Sequence, residues 1–68
     1  MTLLKDAKLD DVIVGTKLKS INFPFSGKII DIIGEKKENR RFLIDILWND
    51  GKIVREELGL CNSVEIVE

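Results

Sequence analysis

The side chains best suited to bind something in this chain are its aromatic rings and its clustered cations. There are four aromatics, Phe23, Phe25, Phe42 and Trp48, and no Tyr. Phe23 and Phe25 flank Pro24 in a loop bounded by Asn22 and Ser26. A short polar loop cannot easily bury both rings. One Phe is expected to plug the end of the domain, and the pair together offers an apolar contact patch for a protein partner or for base stacking. Trp48 directly precedes Asn49-Asp50-Gly51. Core packing is the plainer use of a Trp. Its position nevertheless predicts that Phe23, Phe25, Trp48, Asn49 and Asp50 gather at one end as a partner-binding surface.

The cations suggest a second chemistry. Lys36, Lys37, Arg40 and Arg41 crowd one polar segment, with Glu35 and Glu38 interspersed. A solvated loop is the simplest reading. The alternative is phosphate contact from a projecting hairpin, joined by Lys17, Lys19 and Lys28. The interspersed acids cancel part of that field. Net charge is −1, so no overall polycation advertises nucleic-acid binding. The distribution is uneven: residues 1–41 carry nine basic against six acidic side chains, and residues 42–68 carry two against six.

Catalysis has little to work with. The chain has no His, hence no ready general base near neutral pH. Glu56 and Glu57 with Asp45 or Asp31 form the only suggestion of an acid pair. Cys61 is the single cysteine and lacks a His to activate it, so a buried apolar role is expected. It forms no intramolecular disulfide and offers no Cys-based zinc site, which fits a reducing, cytoplasmic setting. No glycine-rich phosphate loop opens a helix. The reading is therefore a non-enzyme with no metal and no cofactor.

These residues must be positioned by a small fold. Sixty-eight residues make at most one domain, near the lower limit for folding alone. The 44% hydrophobic and 34% charged content is that of a globular chain. Val, Ile and Leu dominate and Ala occurs once, which favours strands over helices. Met1 to Asp10 alternates apolar and charged residues, with no signal-peptide core, and no apolar run is long enough to span a membrane.

Residues 1–11 read as a lead-in, either a short helical turn or a loose arm, before a single domain over residues 12–68. Five strands are expected: Val12 to Ser20, with Gly15 marking a bend or bulge; Gly27 to Ile33; Arg41 to Trp48; Lys52 to Glu57; and Ser63 to Val67. In the third, Phe42, Ile44, Ile46 and Trp48 share the core face. Asp50-Gly51 is the strongest tight-turn signal, because Gly accepts positive φ without steric cost. Leu58-Gly59-Leu60 fits a single 3₁₀ turn. Curling five short strands into a small barrel buries one face of each and covers most edges.

Three passages resemble the Tudor/KOW group of SH3-like barrels. They are Val14-Gly15-Thr16-Lys17-Leu18, Ser26-Gly27-Lys28-Ile29-Ile30-Asp31-Ile32, and Ile44-Asp45-Ile46-Leu47-Trp48-Asn49-Asp50-Gly51 followed by Arg55-Glu56-Glu57-Leu58. The resemblance spans roughly residues 12–67. It implies a five-stranded SH3-like barrel serving as an accessory module that binds protein or nucleic acid. Some members hold a methylated Lys or Arg in an aromatic cage; Phe23 or Phe25 with Trp48 supplies half of one here. The expected function is protein interaction in a nucleic-acid-processing context. Direct nucleic-acid binding through the basic hairpin and self-association are the alternatives, and no membrane partner is expected.

Overall fold

A computed structural model describes residues 1–67. Six strands form one antiparallel sheet: β1 (Thr2–Leu3), β2 (Lys17–Ser20), β3 (Ser26–Ile33), β4 (Leu43–Trp48), β5 (Ile53–Glu57) and β6 (Val64–Ile66). Their order across the sheet is β1-β6-β2-β3-β4-β5. Every pairing is antiparallel, and β1 and β5, the two edges, do not pair with each other, so the sheet is not closed. Three 3₁₀ turns, Leu4–Asp6, Leu9–Asp11 and Leu58–Leu60, complete the regular structure. No helix is long and apolar enough to cross a membrane.

The expected strand count of five becomes six, because the N-terminal segment is neither a loose arm nor merely a helical turn. Thr2 and Leu3 pair with Ile66 and Glu65 of β6. Leu4 and Ala7 then enter the same core as the rest of the chain. Each apolar side chain buried this way contributes about 1.5–3 kcal/mol, or less for Ala. A chain this small cannot leave that contribution unused.

The first long strand also starts later than expected. Val12 to Thr16 has strand-forming residues but folds as a turn. Thr16 donates its backbone N–H to the Ile13 carbonyl at 3.1 Å and its Oγ1–H to the Asp11 carbonyl at 2.7 Å. Gly15 sits at φ +98°, and its N–H bonds the Ile29 carbonyl at 2.8 Å. Side-chain bonds from Thr compete here with the ladder and win locally.

The remaining elements follow the sequence pattern. Phe42, Ile44 and Ile46 are buried, with Trp48 half-buried against them. Opposite lie Leu18, Ile29, Leu58, Cys61 and Val64. β3 carries an irregularity at Ile30, after which Asp31 stands opposite Asp45. The Asp50-Gly51 turn closes with Gly51 at φ +88°, its N–H on the Trp48 carbonyl and the Trp48 N–H on the Lys52 carbonyl, both at 2.9 Å. Open space surrounds the Gly51 Cα. Gly51→Val is therefore expected to cost only the backbone strain of an L-residue in the left-handed region, about 1–2 kcal/mol. A denaturant titration with an unchanged midpoint would contradict that turn geometry.

Candidate functional site

The hairpin turn after β4 and the loop between β2 and β3 lie at the same end of the sheet. Ser20 donates its N–H to the Phe25 carbonyl, and Asn49 donates its own to the Ser26 carbonyl. The first closes the β2–β3 loop, and the second ties that loop to the turn after β4. Between them opens a cavity of about 310 Å³ lined by Phe23, Phe25, Trp48 and Asp50, with Lys52, Val54 and Glu56 along β5. The two Phe rings lie 6.2 Å apart, tilted by 34°. Phe23 is 63% exposed and Phe25 39%, so neither plugs the core.

Asn49, the fifth residue expected here, sits on the other side of Trp48. It borders a second, mostly apolar recess of about 400 Å³ with Lys17, Lys28, Leu47, Trp48 and Val67. Trp48 is the wall between the two. Lys52, Val54 and Glu56 were not anticipated as part of the site. The signal was present: period-2 alternation puts Val54 and Glu56 of β5 on one face, with Lys52 just before the strand in the same phase.

The seven basic residues differ in what they contact. Lys36 donates from Nζ to the Val12 carbonyl at 3.0 Å. Arg40 reaches back to the Lys5 carbonyl at 3.1 Å and the Ala7 carbonyl at 2.6 Å. Lys37 pairs with Glu35 at 3.2 Å, and Lys19 with Glu65 at 3.0 Å. The remaining Glu65 oxygen, Oε2, is buried without a hydrogen-bond partner among the described residues. Arg41 is exposed at the far end of the loop and makes no ion pair among the described residues. Lys17 and Lys28 stand directly opposite each other across β2 and β3, and neither makes an ion pair among the described residues.

Asp45 is held in a cross-strand ion pair. Arg55 donates to both oxygens of Asp45, at 2.8 and 3.2 Å, across the β4–β5 ladder. That guanidinium holds the Asp45 carboxyl below the usual carboxylate range, and its own pKa is raised in return, with Asp31 adding to the effect. A carboxylate with both oxygens engaged by a cation stays ionised and is a poor proton donor near neutral pH. Burial pushes the Cys61 thiol up to about 11, with Glu56 contributing, so it stays protonated at neutral pH and is a poor nucleophile. Among the described residues no group of three or more His, Cys, Asp or Glu side chains is placed to hold a metal.

This arrangement offers apolar and aromatic contact beside an acidic rim, and two facing lysines beyond Trp48. No family model, no curated protein and no solved structure matches the chain.

Proposed function

We propose that this chain is a non-enzymatic, cytoplasmic binding module that docks a protein segment at the end of the sheet formed by Phe23, Phe25, Trp48 and Asp50. One observation carries the reading: these four side chains, from the β2–β3 loop, the end of β4 and the turn after it, line one cavity that borders the open edge strand β5. Exposed aromatics in a concave, partly apolar site are the usual anchors of protein recognition. Asp50 and Glu56 outweigh Lys52 on the rim, so the favoured ligand is an extended segment with an apolar anchor and a basic side chain.

The nucleic-acid-processing context rests on the resemblance to the Tudor/KOW group. An SH3-like barrel is the finer fold we propose. The order β6-β2-β3-β4-β5 and the 3₁₀ turn between β5 and β6 support it, with β1 as an addition at one edge.

A peptide-display selection tests the docking reading. Wild-type protein is expected to enrich segments that pair an apolar with a basic residue, and Phe23→Ala and Asp50→Ala are expected to lose them. Both positions are exposed, so these variants should fold normally.

Direct nucleic-acid contact is favoured by one specific feature, the Lys17–Lys28 pair. Like charges opposite each other in a sheet are destabilising, and a phosphate between them would relieve this. No peptide enrichment, together with amide shifts at Lys17 and Lys28 on adding a short DNA that fade with salt, would replace the first reading with this one.

A further inference from the structure

The edge strand β5 has five residues and no strand paired on its outer side among the described residues. It spans Ile53–Glu57, carries no Pro or Gly, and exposes Ile53 and Val54. Its outer backbone groups can be assigned from the ladder. The Trp48 N–H bonds the Lys52 carbonyl, and the Leu58 N–H bonds the Phe42 carbonyl. In an antiparallel pair, hydrogen-bonded and non-hydrogen-bonded positions alternate. Val54 and Glu56 therefore bond inward to β4, while Ile53, Arg55 and Glu57 turn their N–H and C=O groups outward. No strand lies there among the described residues.

We propose that the occupant of this edge is a second copy of the chain, joined β5 to β5 about a two-fold axis at Val54. This does not rest on the docking reading above, since it uses the outward backbone groups of the edge, although Lys52, Val54 and Glu56 also line the aromatic cavity. A two-fold perpendicular to the sheet requires an antiparallel register with one residue facing its own copy. Centring it on Val54 sets Lys52 opposite Glu56 of the second copy, twice over, and Val54 against Val54. On the outer face Ile53 meets the aliphatic stem of Arg55. Ile53 and Arg55 are then hydrogen-bonded partners, so the outward groups of both are satisfied.

The neighbouring register, centred on Arg55, is opposed by charge. It places Arg55 against Arg55 and Val54 against Glu56, and like charges directly opposite destabilise a sheet. Lys52 and Glu56 lie on the cavity face with Val54. The dimer therefore lengthens the wall of each cavity without filling it.

Sedimentation equilibrium over a wide concentration range tests the proposal. The wild-type mass is expected to rise from 7.7 kDa towards twice that value. Lys52→Glu and Glu56→Lys alone each create like-charge pairs and should remain monomeric. Mixed one to one, the two variants should form a heterodimer, because each 52–56 contact is then opposite in sign. The double variant should dimerise again. Ile53→Pro deletes only an outward N–H, so it should stay folded by circular dichroism and be monomeric.

A wild-type chain that stays at 7.7 kDa at millimolar concentration would overturn the proposal. So would a dimer that survives Ile53→Pro. Reversal variants that fail to recombine on mixing would overturn the Val54 register. Because Lys52 and Glu56 also line the aromatic cavity, peptide capture is scored separately in Ile53→Pro, whose position does not line it.

Discussion

Gly27→Val is expected to unfold most of the protein at room temperature. Gly27 lies in β3 opposite Trp48 on one side and Leu18 on the other. Its φ is unremarkable for a strand, so conformational freedom is not what the position needs. It needs space. A Cβ built there would stand 2.6 Å from the Leu47 carbonyl oxygen, 2.9 Å from Cε3 of Trp48 and 3.3 Å from Cγ2 of Ile46. The first neighbour is backbone of the adjacent strand, which cannot swing aside as a side chain can.

Overpacking typically costs about 1–3 kcal/mol, and more where backbone must move. A domain of this size holds roughly 3–5 kcal/mol in all. Val adds two more carbons beyond the clashing Cβ. Gly27→Ala is the informative milder variant, because two arguments predict opposite signs. Replacing a strand Gly by Ala normally stabilises by about 0.4–1 kcal/mol through the unfolded state. The contact distances predict a loss instead. A denaturant midpoint that rises in Gly27→Ala would show that Trp48 does not rest on Gly27. It would also remove the partition between the two cavities.

That partition was only half legible in the sequence. Alternation over Phe42–Trp48 identifies the buried face, and Asp50-Gly51 identifies the turn, so Trp48 was placed correctly at the end of a strand. Why it stands upright between two recesses depends on Gly27, which is distant in sequence and whose role is purely steric. The grouping of Phe23 and Phe25 with Trp48 and Asp50 was accessible because two connections at one end of a small sheet have few other places to go.

Three features were out of reach, each for a physical reason. β1 has two residues and no periodicity of its own; it exists because β6 offers it an edge. Val12 to Thr16 has strand propensity throughout, but Gly15 in the left-handed region and the Thr16 hydroxyl override it. The contacts of the basic segment were hidden for a different reason. Charge says that a side chain seeks a partner but not which one, and the carbonyls of Lys5, Ala7 and Val12 were invisible as partners until the chain was folded.

Arg40 makes that point testable. It is the one non-glycine residue at positive φ among the described residues, at +58°. That conformation costs of order 1–2 kcal/mol and persists only where surrounding contacts hold it. The contacts are evident: the guanidinium bonds the Lys5 and Ala7 carbonyls, and the Arg40 carbonyl accepts the Gly59 N–H at 2.9 Å. Arg40 thus clasps the N-terminal segment to the turn that follows β5. Hydrogen bonds from a charged group contribute about 1.5–3 kcal/mol.

Arg40→Ala should therefore lose roughly 2–3 kcal/mol and leave two carbonyls without a partner. Amide exchange should accelerate first at Leu4 to Ala7 and in the β1–β6 pairing, ahead of β3 and β4. A residue serving only as an exposed phosphate ligand would behave oppositely. Its removal would leave stability within about 0.5 kcal/mol and lower only the salt sensitivity of nucleic-acid binding. Arg41→Ala, one position on and without those carbonyl contacts, is the internal control and should leave the exchange pattern unchanged. Equal effects at positions 40 and 41 would mean that the clasp adds nothing beyond a surface charge.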